Sequence, residues 1–274
     1  MIIKEINGVK FVVSEILRSP HAFSTRVGGV SERCHTSSLN LAFGRGDDDS
    51  TVLENLGKFA HAVGFLPQNV ISVPQIHSAD VKTVGAEQMG LGYFREADFS
   101  CDGYLTAEEN VVLGVKTADC VPILLEARNE GGEVIAVEAL HAGWRGTAAR
   151  IAQRGVYKLL GLVASRERIF AAIGPCIGGC CFEVGDECHV ELKKLDSTGA
   201  CVEIHESGRA FYDLAALNAS VLESAGVPKC NIDICGLCTY CEEELFYSHR
   251  RQKGVRGSML SVIWKNSTPN TAAY

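Results

Sequence analysis

The sequence predicts a layered α/β sandwich whose sheets are covered on both faces. Three observations carry this. Short β-like runs outnumber helical patterns, the helical patterns fall between the runs rather than in a block of their own, and runs such as Val121–Leu125 are apolar at every position. A strand with one wet face alternates apolar and polar residues, so a strand that does not alternate is buried on both faces.

Taken along the chain, strands are expected at Val9–Val13, Asn69–Val73, Val81–Val84, Val111–Lys116, Val121–Ala127, Val134–Leu140 and Met259–Trp264, each bounded by Gly, Pro, Asn or Asp. Helices are expected at Ser50–Val63, Thr147–Leu160, Asp186–Leu195 and Asp213–Ala225. In the second of these, Thr147 is a candidate N-cap, and Ile151, Val156, Leu159 and Leu160 form an apolar stripe. No repeat, low-complexity tract or Pro/Ser-rich linker divides the chain, so residues 1–274 are read as one domain.

Composition narrows the function. The chain has 274 residues, 46% of them hydrophobic, which is ample for a full core. Its net charge is −7 and no stretch concentrates basic residues, so nucleic acid is not an expected partner. The N-terminal residues interrupt every apolar run with charge or Gly, and no apolar stretch is long enough to span a bilayer, so neither export nor membrane insertion is expected. Twelve cysteines in a chain of this length, without a signal peptide, point to reduced thiols in the cytoplasm, some of them metal ligands, rather than to a disulfide framework.

The most informative stretch is Thr117-Ala118-Asp119-Cys120, a strand, the turn Asn129-Glu130-Gly131-Gly132, a second strand, and His141-Ala142-Gly143-Trp144-Arg145-Gly146. It reads as a β-hairpin. A turn centred between Glu130 and Gly131 sets Cys120 directly opposite His141, close enough for a thiolate and an imidazole to share one ion or one proton. A bulge or longer loop would change that register, and Glu138 is an unexplained polar residue inside the second strand. A third ligand is sought in Pro74-Gln75-Ile76-His77-Ser78-Ala79-Asp80, where His77 stands at a strand end. Two imidazoles and one thiolate leave a fourth zinc position open, the arrangement of a catalytic rather than a structural ion, and Asp80 or Asp119 is a candidate to orient a ligand. A strand-terminal His and a Cys beside Val121-Pro122-Ile123 are also ordinary structural residues, and spacing alone leaves both readings open.

Other signals are weaker. Gly143-Trp144-Arg145-Gly146-Thr147 leads into a helix and is a candidate anion site, as are Arg26-Val27-Gly28-Gly29 and His249-Arg250-Arg251. Cys235-x-x-Cys238-x-x-Cys241 has metal-cluster spacing, and Cys176, Cys180, Cys181 and Cys188 form another group, but neither has a matching second half at zinc-ribbon spacing, and reduced cysteines in packed strands and turns are the alternative. Pro175-Cys176 and His189-x-Glu191 stand in the wrong order and spacing for a zinc deaminase. No Walker A or dinucleotide motif occurs.

Taken together, Thr25-Arg26-x-Gly28-Gly29-Val30-Ser31, Ser38-Leu39-Asn40-Leu41, Gln75-x-His77-Ser78, Thr117-Ala118-Asp119-Cys120-x-Pro122, His141-Ala142-Gly143-Trp144-Arg145-Gly146-Thr147, Gly174-Pro175-Cys176-Ile177 and Phe246-Tyr247-Ser248-His249-Arg250-Arg251 resemble the YfiH-type family, in order and over nearly the whole chain. That family was long labelled polyphenol oxidase or laccase and is now described as zinc-dependent purine nucleoside phosphorylases with adenosine deaminase activity. The resemblance implies a four-layer α/β/β/α sandwich with mixed sheets, and zinc on His77, Cys120 and His141 as the catalytic centre. It implies phosphorolysis of adenosine, inosine, guanosine and methylthioadenosine, and deamination of adenosine, with inorganic phosphate and nucleoside held by Arg26, Asn40, Arg145 or Arg250.

Near its end the chain departs from the family pattern, with Gly254-Val255-Arg256-Gly257-Ser258-Met259 in place of Thr-Gly-Arg-Met, which puts the role of Arg256 in doubt. No His-x-His occurs among the eight histidines, so a multicopper oxidase is rejected as the main activity, although adventitious copper suits a soft His/Cys site. Two alternatives remain: a metal-free hydrolase with Cys120 as nucleophile and His141 as base, and a non-catalytic metal- or ligand-binding protein.

Overall fold

The computed structural model describes residues 1–266 apart from 164 and 197, so residues 267–274 of the single-domain reading lie outside the described residues. Two six-stranded sheets face each other. The first runs β1 (Ile2–Ile6), β2 (Val9–Val13), β3 (His21–Ser24), β15 (Met259–Ile263), β7 (Val112–Thr117) and β4 (Val70–Ile71). The second runs β14 (Ile232–Ile234), β10 (Ile169–Ile173), β8 (Val121–Arg128), β9 (Val134–Ala142), β6 (Gly103–Thr106) and β5 (Val81–Thr83). Parallel pairs at β4–β7, β10–β14 and β5–β6 join otherwise antiparallel ladders, so both sheets are mixed. A small third sheet holds β11 (Glu183–Val184), β13 (Ala210–Tyr212) and β12 (Val202–Ile204).

The expected four layers follow from how each strand divides its side chains. In β2, Val9, Phe11 and Val13 pack outward under α1 (Asp49–Val63) with Leu56 and Phe59, whereas Val12 faces the second sheet. In β8, Ile123 and Leu125 pack with α3 (Ile151–Leu159) and α5 (Leu214–Ser224), whereas Leu124 points between the sheets toward Phe23, Val115 and Ala139. The fully apolar runs are thus strands covered on both faces. Two shorter helices, α2 (Trp144–Ala148) and α4 (Asp186–Lys193), complete the outer layer on that side.

Three local expectations change. The helix expected over Thr147–Leu160 is broken at Arg150, whose backbone is left-handed at φ 58°, and Thr147 is no cap: Gly143 precedes α2, and the Thr147 hydroxyl accepts a hydrogen bond from Asn218 Nδ2 at 2.9 Å. Asp213 does cap α5, accepting from the Ala216 amide. The β8–β9 turn is longer than two residues. Asn129 and Glu133 close it, with a bulge at Ala127/Arg128, and the register becomes Pro122 opposite His141 and Val121 opposite Ala142. Cys120 therefore sits just beyond β8, diagonal to His141 rather than opposite it.

Glu138 faces α3 from β9, fully buried, and both its carboxylate oxygens lack a hydrogen-bond partner. A Cβ at Gly155 would lie 2.4 Å from Glu138 Oε2, so the helix comes this close only because residue 155 is glycine. Glu126 in β8 is equally buried but accepts from the Arg18 and Ser19 amides and from Arg128 Nε at 2.6 Å.

Candidate metal centre and active-site cavity

The diagonal relation still sends Cys120 and His141 the same way. Cys120 shares the parity of Leu124, and His141 that of Val137 and Ala139, so both are on the inter-sheet side, at the ends of β8 and β9. His77 comes from the loop between β4 and β5, held by its own motif. The Gln75 side-chain amide accepts from the Lys116 amide at 2.7 Å and donates to the Lys116 carbonyl at 2.8 Å, tying this loop to β7. Asp102, buried just before β6, receives the Ile76, His77 and Ser78 amides and the Ser78 hydroxyl at 2.6–3.3 Å.

One ligand atom from each of His77, Cys120 and His141 lies within 4.8 Å of the others. His77 Nε2 is 4.0 Å from Cys120 Sγ, and the two imidazoles meet edge to face with centroids 4.9 Å apart. A Cβ at Gly143 would stand 2.9 Å from His77 Cδ2 and 3.2 Å from Cys120 Sγ, so the space between the donors exists because this residue has no side chain. Two borderline nitrogens and one soft thiolate around such a gap suit a transition-metal ion, and the fourth side faces a cavity.

The electrostatics prepare the donors for that role. Burial alone would push the Asp102 carboxyl up, but hydrogen bonds from His141 and Ser78 hold it down to about 2. An ionised carboxylate only accepts, so His141 Nδ1, 2.8 Å from Asp102 Oδ1, carries the proton and Nε2 is left for the site. Burial also opposes ionisation of Cys120, yet His141 and His77 outweigh it and bring the thiol down to about 6. For His141, burial disfavours the cation while the Cys120 thiolate and Asp102 raise it to about 9.

The cavity beside the donors has a volume of about 750 Å³ and is lined by aromatic Phe43, Tyr93 and Phe94 and by basic Arg45, Arg95, Lys116 and Arg256. Like Lys116 and unlike exposed Arg45 and Arg95, Arg256 is half-buried. Its Nε is buried without a partner, Nη1 donates to the Gly257 carbonyl at 3.1 Å and to Ser258, and burial together with Arg45 lowers it to about 10. Burial brings Lys116 down to about 8.

The other residues singled out from the sequence lie off this cavity. Arg26 donates to the Ser37 and Glu243 carbonyls and lies over Tyr247. Asn40 is buried and bridges Ala42, Asp47 and Ser258. Arg145 stacks on Trp144 and pairs with Glu187 at the surface, and Arg250 donates to the Glu183 carbonyl. Asp80 pairs with exposed Lys82 at 3.5 Å, and Asp119 binds Thr239, Ser248 and the Arg250 amide, so neither expected orienting residue touches a ligand imidazole. Asp102, absent from the sequence reading, does, and Arg256 lines the cavity despite its altered motif.

A family profile described as multi-copper polyphenol oxidoreductase laccase matches residues 20–266. The chain belongs to this family, the YfiH-type proteins. A purine nucleoside phosphorylase of Deinococcus radiodurans is 38% identical over 256 residues, covering 93% of each chain. An adenosine deaminase named RL5, from an unknown prokaryotic organism, is 38% identical over 84% of this chain and 88% of its own. The crystal structure of YlmD from Geobacillus stearothermophilus superposes with a TM-score of 0.87 at 32% identity, covering 96% of this chain and 98% of that one. No helix among the described residues is long and apolar enough to cross a membrane.

Proposed function

We propose that this YfiH-type protein is a zinc-dependent purine nucleoside phosphorylase, acting on adenosine, inosine, guanosine and methylthioadenosine, that also deaminates adenosine. The observation that carries the reading is the convergence of His77, Cys120 and His141 at the wall of a cavity lined by aromatic rings and cations. Relatives named for both activities support it. Three protein ligands leave one position open, and zinc bound there supplies a Lewis acid for water or a substrate oxygen.

The protein's own residues do the rest. Asp102 fixes the His141 ring and the Ile76–Ser78 backbone together, so two of the three donors share one anchor. Phe43 and Tyr93, 5.5 Å apart, and Phe94 offer faces for a purine. Arg256, with its unpaired Nε, and Arg45 provide the positive charge that inorganic phosphate needs near the ribose. Twelve free cysteines suit a reducing compartment, the cytoplasm.

A Cys120–His141–Asp102 nucleophile is the second reading, favoured by the low thiol pKa. His77 speaks for the metal, because a thiol nucleophile has no use for a second imidazole at 4.0 Å. The copper-oxidase description gains little from the donors: the two metal-competent groups among the described residues contain only two histidines between them. Cys120→Ser and His141→Ala are expected to lose the zinc of this centre, and with it turnover, while remaining folded. Full metal content in either variant, measured by mass spectrometry, contradicts the assignment.

A further inference from the structure

The fold gathers four cysteines that the His77, Cys120 and His141 centre does not use. Cys180 and Cys181 follow a tight turn in which the Cys181 and Phe182 amides both donate to the Gly178 carbonyl. Cys238 and Cys241 stand on the loop after β14, in C-x-x-C spacing. An isolated parallel bridge between Cys176 and Cys238, and a 2.9 Å hydrogen bond from the Thr239 amide to the Cys176 carbonyl, lay the two segments side by side. All four sulfur atoms then lie within 4.8 Å of one another, with Cys241 Sγ 3.7 Å from Cys180 Sγ and 3.5 Å from Cys181 Sγ.

These separations select the ligand. Four thiolates about 2.3 Å from one zinc ion occupy a tetrahedron with edges of about 3.8 Å. The sulfur contacts of 3.5 and 3.7 Å are of that size. An iron–sulfur cluster distributes its thiolates over several irons with sulfides between them, and so holds them further apart. A disulfide joins two sulfurs at about 2.0 Å and accounts for only half the group. The backbone is also shaped around the sulfurs. The Gly178 amide donates to Cys238 Sγ at 3.2 Å, and a Cβ at Gly178 would stand 3.3 Å from Cys180 Sγ and 3.5 Å from Cys238 Sγ. Glycine there admits an N–H to a sulfur that carries negative charge when metal is bound.

We infer that Cys180, Cys181, Cys238 and Cys241 hold a second metal ion, a zinc in a closed four-thiolate site. With no open position this ion is structural, and its place in the fold says what it supports. Thr239, between two of its ligands, donates to Asp119 Oδ1 at 2.6 Å, and Ile177, three residues before Cys180, donates its amide to the Asp119 carbonyl at 3.0 Å. Asp119 holds a left-handed conformation, φ 90°, immediately before Cys120. The second zinc thus fastens the two segments that grip Asp119, and thereby steadies the thiolate ligand of the first centre.

The test is the zinc content of the full-length protein purified under reducing conditions, followed by replacement with cobalt(II). Two zinc ions per chain are expected, and the cobalt form should show the intense thiolate charge-transfer and tetrahedral visible bands of a four-sulfur site. Cys120→Ser should keep that spectrum and one zinc, whereas Cys241→Ser should lose both the spectrum and one zinc. Should Cys241→Ser fold poorly, alkylation of the native wild type followed by peptide mapping decides: the four thiols should be protected until a chelator is added. A single zinc that Cys120→Ser removes, iron in place of the second zinc, free alkylation of the four thiols, or a disulfide between Cys241 and Cys180 or Cys181 in freshly purified protein overturns the inference.

Discussion

Asp102 Oδ1 lies 2.8 Å from His141 Nδ1 and 3.0 Å from the His77 amide, so one buried carboxylate orients one imidazole of the proposed metal centre and positions the backbone of the other. Partners of this kind typically contribute about 10- to 100-fold in metal affinity. Asp102→Asn keeps the shape but loses one accepting oxygen and the negative charge. Its zinc affinity, measured by competition with a chromophoric chelator, is expected to fall by about that factor. Unchanged affinity would show that the carboxylate merely fills space.

The Cys120 thiol titrates at about 6 and His141 at about 9 in the metal-free centre, so a thiolate–imidazolium pair is populated between those pH values. Cys120 is depressed, so its contribution to stability is present above the ordinary thiol range and is lost as pH falls through about 6. That of His141, which is raised, is present below the ordinary imidazole range and is lost as pH rises through about 9. Alkylation of Cys120 in chelator-treated protein, followed by peptide mapping, should therefore reach half its maximal rate near pH 6, and His141→Ala should move that midpoint upward by more than one unit. A midpoint in the ordinary thiol range in the wild type would remove the pair.

Arg256 stands half-buried at the cavity wall, its Nε buried and without a hydrogen-bond partner. Arg256→Met should raise the KM for inorganic phosphate by roughly 10- to 100-fold, the effect of a charged hydrogen bond of about 1.5–3 kcal/mol. Adenosine deamination, which uses no phosphate, should change far less. Equal losses in both reactions would place Arg256 on the nucleoside instead.

Glu138 tests the fold rather than the site. Burial raises its carboxyl to about 8 against an ordinary 4.5, with Lys158 opposing. The native chain keeps a proton that the unfolded chain releases, so stability falls as pH rises from about 4.5 to about 8, at up to roughly 1.4 kcal/mol per pH unit. Urea unfolding of Glu138→Gln should show a gain of a few kcal/mol at pH 8 that vanishes near pH 5. A gain independent of pH would mean that the carboxyl does not titrate in this range.

Elements whose residues announce a period were legible in the sequence. Val9–Val13 coincides with β2, and Val121–Ala127 reads as buried because β8 has a core on each side. The strand Ile2–Ile6 was not among those expected, although Asn7-Gly8, both at positive φ with Ile6 paired to Val9, is a hairpin signal that could have found it. What stayed hidden depends on contacts between distant segments. Asp102 reaches His141 only because Gly103 pairs with Leu140, a choice no local pattern encodes. Likewise Arg45 and Arg256 meet at a cavity that two sheets create, and the two cysteine groups look incomplete until the Cys176–Cys238 bridge joins them.

The most direct measurement incubates zinc-loaded protein with adenosine, with and without inorganic phosphate, beside chelator-treated protein and Cys120→Ser, and separates the products by chromatography. Adenine and ribose 1-phosphate are expected only with phosphate, inosine without it, and neither from the metal-free or Cys120→Ser protein. Absence of turnover of adenosine, inosine and methylthioadenosine by the zinc form, or equal turnover by the metal-free form, would contradict the proposed function.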